Sequence, residues 1–258
     1  MSSLTTGARC SLKESNLLNW LDDDSFTIDG VRITLDYKLG GSNRPSGADD
    51  FTMMKTPSFL RHYLALHGQG IRKILELGVY QGGSFVFLDK LFAPSRISAI
   101  ELTATPIPAL DRYVAANSDR AKIYYGTSQA DIVALNQIVT EDFGGEVDLV
   151  VDDASHFYVL TKTSFETLFP KLRPGGIYII EDWNWSFQDS FQDPQNDWYQ
   201  EPSLANILLD LAEELSRNLA VESLQVERDL LIVTKAATPS ADPIFRGLGL
   251  RGRKRDLI

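Results

Sequence analysis

Short apolar runs alternate with longer amphipathic stretches through the middle of the chain. The apolar runs predict buried β-strands at Lys73–Leu77, Arg96–Glu101, Lys122–Tyr125, Val147–Val151 and Gly176–Ile180. The stretches between them have helical spacing: Ser84–Leu91, Ile107–Asn117, Ser128–Glu141 and Val159–Leu172. Alternation of this kind is typical of a parallel sheet with helices on both faces.

The last part of the pattern differs from the middle. A predicted helix over Ser203–Asn218 precedes two apolar strands, Val221–Val226 and Leu230–Thr234, which are separated only by Glu227–Asp229. So short a connection makes these strands antiparallel, because a parallel crossover needs roughly a dozen residues or more. The sequence therefore predicts an α/β fold with a doubly wound, mostly parallel sheet and one antiparallel C-terminal hairpin strand.

The N-terminal part does not share this rhythm and predicts a helix and hairpin appendage. Apolar positions around Glu14–Leu21 predict a short helix. Phe26–Ile28 and Val31–Tyr37 predict a hairpin, since the Asp29-Gly30 pair between them is typical of a type I′ turn.

Domain boundaries follow from these changes of pattern. The polar, glycine-bearing stretch Gly40–Asp50 predicts a linker or mobile loop. Thr56 and Pro57 are residue types of a helix N-cap and first turn, and predict a helix that continues to about His67. We therefore expect an appendage for a lid or for oligomerisation (1–54), a ligand-binding domain (55–235) and a flexible tail with a basic cluster (236–258).

Composition narrows the class of protein. The formal net charge of −10 argues against nucleic acid as the main partner. No apolar run approaches the roughly 20 residues of a membrane span, and the first residues lack the apolar core of a secretion signal. Cys10, the single cysteine, permits no internal disulfide and no cysteine-based zinc site. We expect a cytoplasmic enzyme or binding protein.

A glycine loop follows the first strand of the alternating pattern. Its candidate ligand-binding residues are Glu76, Gly78, Gly82, Gly83 and Ser84. Backbone N–H groups at such a turn and at the following helix N-terminus can approach a ligand closely, because no side chain intervenes. The Glu-x-Gly-x-x-x-Gly spacing differs from the Gly-x-Gly-x-x-Gly of dinucleotide binders. Glu76 is placed to accept from an ammonium or from a backbone N–H of the loop.

Further candidates follow the next two strands. Glu101 lies about 20 residues beyond the glycine loop, where a ribose-binding carboxylate is expected, and its charge would repel a 2′-phosphate. Gly126, Thr127 and Ser128 are candidates to line an adenine edge. Taken singly, Glu101 is better explained as a solvated loop carboxylate and Gly126 as a turn. Together, at consecutive strand ends, they predict a nucleotide-like ligand site.

Acidic residues and a histidine follow the fourth and fifth strands. They are Asp152, Asp153 and His156 after the fourth strand, and Glu181 and Asp182 after the fifth. Carboxylates at adjacent strand ends repel one another unless a cation lies between them, and oxygen ligands without cysteine suit Mg²⁺. His156 is then the candidate general base, although a purely structural histidine is the alternative.

The segment Trp183–Tyr199 is rich in aromatic residues, with amides and carboxylates interspersed. Flat rings with polar neighbours suit an amphipathic acceptor such as a glycoside or a polyketide. Packing against the appendage, or against a neighbouring subunit of a homo-oligomer, explains the same pattern. The sequence leaves both interpretations open.

These motifs resemble a known family. The Glu76-Leu-Gly78 and Gly82-Gly-Ser84 elements, Glu101 and Pro174-Gly-Gly176 are similar to the class I S-adenosylmethionine-dependent methyltransferases, whose fold is Rossmann-like. More narrowly, Asp152-Asp-Ala-Ser-His156, the Phe165–Pro170 segment and Ile180-Glu-Asp182 resemble the macrocin/mycinamicin O-methyltransferases, a group with rhamnosyl O-methyltransferase and cephalosporin-hydroxylase-like members.

The resemblance implies two cofactors and a reaction. S-adenosylmethionine would bind along Gly78–Ser84, with its ribose on Glu101 and with Asp152 among the cofactor-binding residues. Mg²⁺ would be held by Asp153, Glu181 and Asp182, while His156, with Asp153, would deprotonate the acceptor. The implied function is Mg-dependent O-methylation of a hydroxyl on a small natural product, most simply the sugar of a glycoside.

Two alternatives belong to other classes. An NAD-dependent oxidoreductase fits Glu101, but it fits neither the glycine spacing nor the final hairpin. A methyltransferase fold repurposed for cyclisation or hydroxylation, or for binding alone, shares the cofactor motifs, because a fold does not determine a function.

Overall fold

The computed structural model of the protein describes residues 16–37, 43–217 and 220–237. Its strands are β1 (Asn19–Trp20), β2 (Ser25–Ile28), β3 (Val31–Leu35), β4 (Asp50–Met53), β5 (Lys73–Leu77), β6 (Arg96–Glu101), β7 (Ala121–Tyr125), β8 (Val147–Asp152), β9 (Leu172–Glu181), β10 (Val221–Val226) and β11 (Leu230–Lys235). Its helices are α1 (Pro57–Ala65), α2 (Gly83–Phe92), α3 (Pro108–Ala116), α4 (Ile132–Phe143), α5 (Tyr158–Leu168) and α6 (Asn206–Arg217). Short 3₁₀ helices lie at Phe169–Lys171, Trp185–Phe187 and Asp189–Phe191.

The central sheet has the strand order β10-β11-β9-β8-β5-β6-β7. The strands from β5 to β9 are parallel, and β11 is antiparallel to both β9 and β10. The predicted Rossmann-like α/β fold, with its antiparallel hairpin strand, is therefore confirmed. β5 pairs with β6 on one side and with β8 on the other, so the strand order reverses between β5 and β8. In open α/β sheets, ligands bind outside the carboxyl ends of the strands at this point.

The apolar runs of the sequence are continuous because both faces of the central strands are buried. On β5, Ile74 belongs to one hydrophobic cluster and Leu75 to the other. On β8, Leu149 and Val150 divide between the two clusters in the same way. Each fully buried side chain of this size stabilises the fold by about 1.5–3 kcal/mol.

The N-terminal residues form a second sheet with the order β1-β2-β3-β4. The hairpin of β2 and β3 is confirmed, and φ values of 46° at Asp29 and 77° at Gly30 match the positive values of a type I′ turn. The predicted helix over Glu14–Leu21 is wrong in its described part, because Asn19–Trp20 pairs with β2. The Trp20 ring packs 5.1 Å from the ring of Phe26, and this tertiary contact outweighs the helical spacing.

β4 begins at Asp50, the last residue of the stretch predicted as a linker, and it joins the small sheet to the central domain. It pairs in parallel with β3, and Phe51 packs edge-on against Tyr113 of α3, with ring centroids 5.7 Å apart. Gly83 opens α2 directly against β4, since a Cβ atom there would lie 2.3 Å from the carbonyl oxygen of Thr52. The small sheet and the central domain therefore share one core.

The rest of the predicted linker also makes specific contacts. Arg44 pairs with Asp50 at 2.6 Å, and the Ser46 hydroxyl donates to the backbone oxygen of Gln81 at 2.7 Å. Residues 40–42 and 238–258, including the basic cluster of the predicted tail, lie outside the described residues. In the described part of the chain, no helix is both long enough and apolar enough to cross a membrane.

Candidate functional site

A cavity of about 300 Å³ lies at the carboxyl ends of the central strands. Its walls come from the ends of several strands and the loops that follow them: Thr52–Lys55, Gly78–Tyr80, Gly83–Ser84, Ile100–Thr103, Thr127–Gln129, Asp153–His156 and Leu160. The volume is within the range of small-molecule sites, and the position is the one that the strand order favours.

The glycine loop packs against the segment after β8. Gly78 has a φ of 84°, and a Cβ atom there would lie 2.2 Å from the backbone oxygen of Asp153. The Asp153 amide donates to the carbonyl oxygen of Leu77 at 2.9 Å, so the two segments meet through their backbones. Only glycine permits both this φ and this approach. Gly78 thus brings the loop and the acid cluster to one cavity.

The predicted cofactor residues divide into two groups. Those that line the cavity are Gly78, Gly83, Ser84, Glu101, Thr127 and Ser128. Those that do not line it are Glu76, Gly82, Gly126 and Asp152. At Gly82, a Cβ atom would meet the Leu110 side chain at 3.2 Å, so this glycine permits helix packing rather than ligand approach.

Glu101 holds the glycine loop through backbone hydrogen bonds. Its Oε2 accepts from the amides of Val79 at 3.1 Å and Tyr80 at 3.3 Å, and its Oε1 accepts from Thr103 at 2.9 Å. A carboxylate offers about four lone-pair sites, so about one remains for a ligand hydroxyl. A ribose diol bound through both hydroxyls would have to displace one of these backbone donors.

Glu76 lies beneath the loop rather than in the cavity. It is fully buried, and its Oε1 accepts from the Ser84 hydroxyl. Its Oε2 has no hydrogen-bond partner among the described residues. Burial raises the pKa of Glu76 to about 8, with the hydrogen bond from Ser84 acting against the rise.

Asp152 has a structural environment, which changes its predicted role as a cofactor ligand. Its carboxylate accepts from Gln129 Nε2 at 3.1 Å, from the Ser164 hydroxyl at 2.5 Å and from the Tyr178 hydroxyl at 2.8 Å. Burial raises the pKa of Asp152 to about 6, although the bonds from Ser164 and Tyr178 oppose it. With its oxygens committed to these donors, Asp152 fixes the loop that carries its neighbour Asp153.

Asp153, His156 and Asp182 converge at the cavity edge. His156 Nε2 lies 3.7 Å from Asp153 Oδ1 and 4.0 Å from Asp182 Oδ2. His156 and Asp182 both have left-handed backbones, with φ values of 57° and 52°. Non-glycine residues adopt this conformation at a cost of about 1–3 kcal/mol, and such strain clusters at functional sites. The fold therefore orients these two side chains at the expense of local stability.

The structure brings in a residue that sequence reasoning missed. Lys55 is buried, and its Nζ donates to Asp153 Oδ2 at 2.6 Å and to Glu181 Oε2. Burial alone would lower the pKa of Lys55, but the charges of Asp153 and Glu181 outweigh it and raise the pKa above its usual value. The sequence signal that could have identified this residue is a lysine directly after the largely apolar segment Phe51–Met54.

Glu181 is placed differently from the other predicted metal ligands. One of its oxygens accepts from Lys55 and the other from the Tyr63 hydroxyl, and its side chain is 1% exposed. Ligand atoms of Asp153, His156 and Asp182 lie within 4.8 Å of one another, so two carboxylates and one imidazole form a donor set. Such a set fits a divalent cation of the Mg²⁺ or Mn²⁺ type.

The aromatic segment packs on the His156 loop. The Trp198 ring lies 5.1 Å from Trp185, 5.4 Å from Phe191 and 5.0 Å from Phe157. Trp185 Nε1 donates to the backbone oxygen of His156 at 2.8 Å. A second cavity of about 230 Å³ lies among these rings and the residues that follow them. The aromatic cluster therefore supports the histidine and also borders open space.

Comparison with known proteins agrees with this geometry. A family model described as a methyltransferase domain matches residues 75–183, from β5 to the residue after Asp182. Residues 75–183 of this chain therefore match a methyltransferase domain. The resemblance inferred from the glycine loop and the acid–histidine motifs is confirmed.

Two curated relatives have the names of O-methyltransferases. The methyltransferase domain of this chain is similar to 8-demethyl-8-(2-methoxy-alpha-L-rhamnosyl)-tetracenomycin-C 3'-O-methyltransferase of Streptomyces olivaceus, with 37% identity over 134 residues, 49% of this chain and 31% of that protein. Mycinamicin VI 2''-O-methyltransferase of Micromonospora griseorubida is 32% identical over 135 residues, with the same coverage of 49% and 31%. The chain thus spans about a third of the length of these relatives.

A solved structure shares the fold. MycE methyltransferase from the mycinamycin biosynthetic pathway, in complex with Mg and SAH, aligns with a TM-score of 0.53 and 25% identity, covering 71% of this chain and 49% of that one. Its complex with Mg, SAH and mycinamycin VI aligns with the same TM-score and identity, covering 74% and 52%.

Proposed function

We propose that this methyltransferase transfers a methyl group from S-adenosylmethionine to a hydroxyl of a glycosylated small molecule, with Mg²⁺ assisting. One observation carries the proposal: Asp153 and His156 line the same cavity as Gly78 and Glu101. A donor on the glycine loop and an acceptor hydroxyl beside the histidine would therefore share one space. Methyl transfer needs this juxtaposition, because the acceptor oxygen must approach the donor in line.

The residues of the glycine loop and the neighbouring strand ends would bind the donor. Gly78 and Gly83 leave backbone atoms accessible at the cavity wall, and Glu101 offers an acceptor to a ribose hydroxyl. Thr127 and Ser128 line the same cavity after β7 and would contact the adenine. Glu76 and Asp152 would not contact the donor in this arrangement. Glu76 would hold Ser84, and Asp152 would hold the loop that carries Asp153.

His156 would take the proton from the acceptor hydroxyl. Asp153 Oδ1 and Asp182 Oδ2 lie 3.7 Å and 4.0 Å from its Nε2, so both carboxylates would stabilise the imidazolium that forms. A positioned general base typically contributes about 10²–10⁴-fold. Bound Mg²⁺ would lower the pKa of the hydroxyl and stabilise the alkoxide. Because one nitrogen cannot both ligate a metal and accept a proton, we assign the metal to the Asp153 and Asp182 carboxylates.

The class of acceptor follows from the relatives and from the aromatic cluster. The names of the two relatives give a rhamnosyl-tetracenomycin C and mycinamicin VI as their substrates. Trp185, Phe191 and Trp198 line the second cavity, and the Trp198 ring packs on Phe157, which follows His156. Flat rings at this position suit the apolar part of such an acceptor. A homo-oligomer, in which exposed aromatic residues meet a neighbouring subunit, is the other use we propose for this surface.

Mass spectrometry tests the proposed function directly. The protein is incubated with S-adenosylmethionine, Mg²⁺ and a panel of rhamnosides and macrolide glycosides, and one-methyl mass gains are sought. We expect a gain on at least one glycoside, loss of the gain with EDTA, and recovery with added Mg²⁺. Tighter binding of NAD⁺ than of S-adenosylhomocysteine in calorimetry would instead favour an oxidoreductase. Turnover indifferent to both EDTA and Mg²⁺ would refute the metal assignment.

A further inference from the structure

Lys55 places a positive charge inside the acid cluster. Its side chain is 3% exposed, and it follows β4 of the small sheet. Its Nζ lies 2.6 Å from Asp153 Oδ2 and also donates to Glu181 Oε2, 126 residues away along the chain. A buried ammonium with two carboxylate partners has little freedom to leave, since each partner would lose its compensating charge.

The ammonium divides the cluster into an inner and an outer half. The inner half is Lys55, Asp153 Oδ2 and Glu181, whose other oxygen accepts from Tyr63. The outer half is Asp153 Oδ1, His156 Nε2 and Asp182 Oδ2. The histidine nitrogen lies 3.7 Å from the Asp153 oxygen and 4.0 Å from the Asp182 oxygen. Asp153 belongs to both halves, with one oxygen turned to each.

We propose that Lys55 is the resident cation of the inner half, which removes Glu181 from the metal donors and confines a divalent ion to the outer half. This inference rests on the metal site of the proposed function. A unit charge and a divalent ion a few ångströms apart repel strongly at the intermediate dielectric of a partly buried site. Glu181 has both oxygens occupied by protein donors, so it has less capacity for a metal than Asp182, whose side chain is 43% exposed.

The small sheet therefore sets the strength of the metal site. Lys55 permanently neutralises part of the negative charge that a metal would otherwise neutralise, and it holds Asp153 in place when no metal is bound. Removing the ammonium while keeping the length of the side chain would release Glu181 toward the ion. Metal affinity should then rise, which a merely structural role for Lys55 would not produce.

Metal titration of the full chain, without donor or acceptor, tests this inference. Mn²⁺ binding is followed by water-proton relaxation and Mg²⁺ binding by competition with Mn²⁺. We expect Lys55→Met to bind Mn²⁺ roughly tenfold or more tightly than the wild type, because a repelling charge is lost and a carboxylate is gained. Asp182→Asn should weaken binding by about tenfold to 100-fold. Glu181→Gln removes a nearby charge but no ligand, so it should weaken binding less than Asp182→Asn does.

The double variant Lys55→Met/Glu181→Gln completes a double-mutant cycle of Lys55 and Glu181. It removes both partners of the buried pair, so its Mn²⁺ affinity should return to within about threefold of the wild type. If Lys55→Met fails to fold, as judged by circular dichroism, the double variant decides alone: wild-type affinity supports the inference, and loss of binding overturns it.

Three results would overturn the inference: unchanged or weaker binding in a folded Lys55→Met, a Glu181→Gln defect equal to that of Asp182→Asn, or no metal binding in any variant. Methyl transfer to a glycoside is measured in parallel. The expected metal pattern without turnover would reject only the proposed function, whereas turnover without that pattern would reject only the inference about Lys55.

Discussion

The Nζ atom of Lys55 lies 2.6 Å from Oδ2 of Asp153, which is 98 residues further along the chain. Lys55 follows a strand of the small sheet, and Asp153 follows a strand of the central sheet. Their contact ties the two sheets together at the edge where the cavity opens. The Asp153 carboxylate is therefore paired with a charge supplied by the N-terminal part of the chain.

Replacing His156 separates proton transfer from cofactor binding. His156→Asn keeps a residue that tolerates the left-handed backbone and removes the base. We expect turnover to fall by about 10²–10⁴-fold, because a positioned base contributes that much. Calorimetry should show unchanged binding of S-adenosylhomocysteine. His67→Asn, at an exposed position, is the matched control, and wild-type turnover in His156→Asn would remove the histidine as base.

Glu101 is predicted to control the affinity for the donor. Glu101→Gln keeps the size of the side chain but loses the charge that accepts from Val79, Tyr80 and Thr103. We expect S-adenosylhomocysteine to bind about ten- to 100-fold more weakly, since a hydrogen bond to a charged group contributes about 1.5–3 kcal/mol. Calorimetry measures the effect, with the exposed Glu141→Gln as control. Equal affinities of wild type and Glu101→Gln would exclude Glu101 from the donor site.

Gly78 is predicted to be irreplaceable for two distinct reasons. Gly78→Ala forces a side chain into a φ of 84° and places Cβ 2.2 Å from the Asp153 carbonyl oxygen. Gly144→Ala has a similar φ of 70°, but its Cβ would meet nothing within 4 Å. We expect Gly144→Ala to lower the free energy of unfolding by about 1 kcal/mol and Gly78→Ala by at least twice that. Urea unfolding measures both, and equal losses would mean that the close approach carries no cost.

The pH dependence of stability should report the buried Glu76. Burial raises the pKa of Glu76 to about 8 from an ordinary value of 4.5, so the folded state holds this proton more tightly than the unfolded state. The free energy of unfolding should therefore fall as pH rises from about 4.5 to about 8, by several kcal/mol in order of magnitude.

Glu76→Gln removes this titration and keeps an oxygen for the Ser84 hydroxyl. We expect the stability difference between wild type and variant to shift in favour of the variant between pH 5 and pH 8. Urea unfolding at both pH values measures the shift, and Asp152 titrates in both proteins, so its contribution cancels. A difference that does not change with pH would show that Glu76 is not buried as a neutral acid.

Much of the fold was predictable because its determinants are local. β5 and β6 have the bounds that the apolar runs predicted, since strands buried on both faces need uninterrupted apolar residues. The short connection at Glu227–Asp229 required an antiparallel hairpin, which the pairing of β10 with β11 confirms. Gly78 and Glu101 reach one cavity because the carboxyl ends of parallel strands share one edge. The sequence by itself determined the class of domain and the edge of the sheet where the cavity lies.

Tertiary structure decided which charged residues are available for chemistry at that edge. Asp153 and Glu181 look alike in the sequence, since each follows a buried strand. Only the packing of β4 and α1 brings Lys55 and Tyr63 to Glu181 and leaves one oxygen of Asp153 facing His156. Electrostatic pairing depends on distances in space between residues that are far apart in the chain, and no local pattern encodes those distances.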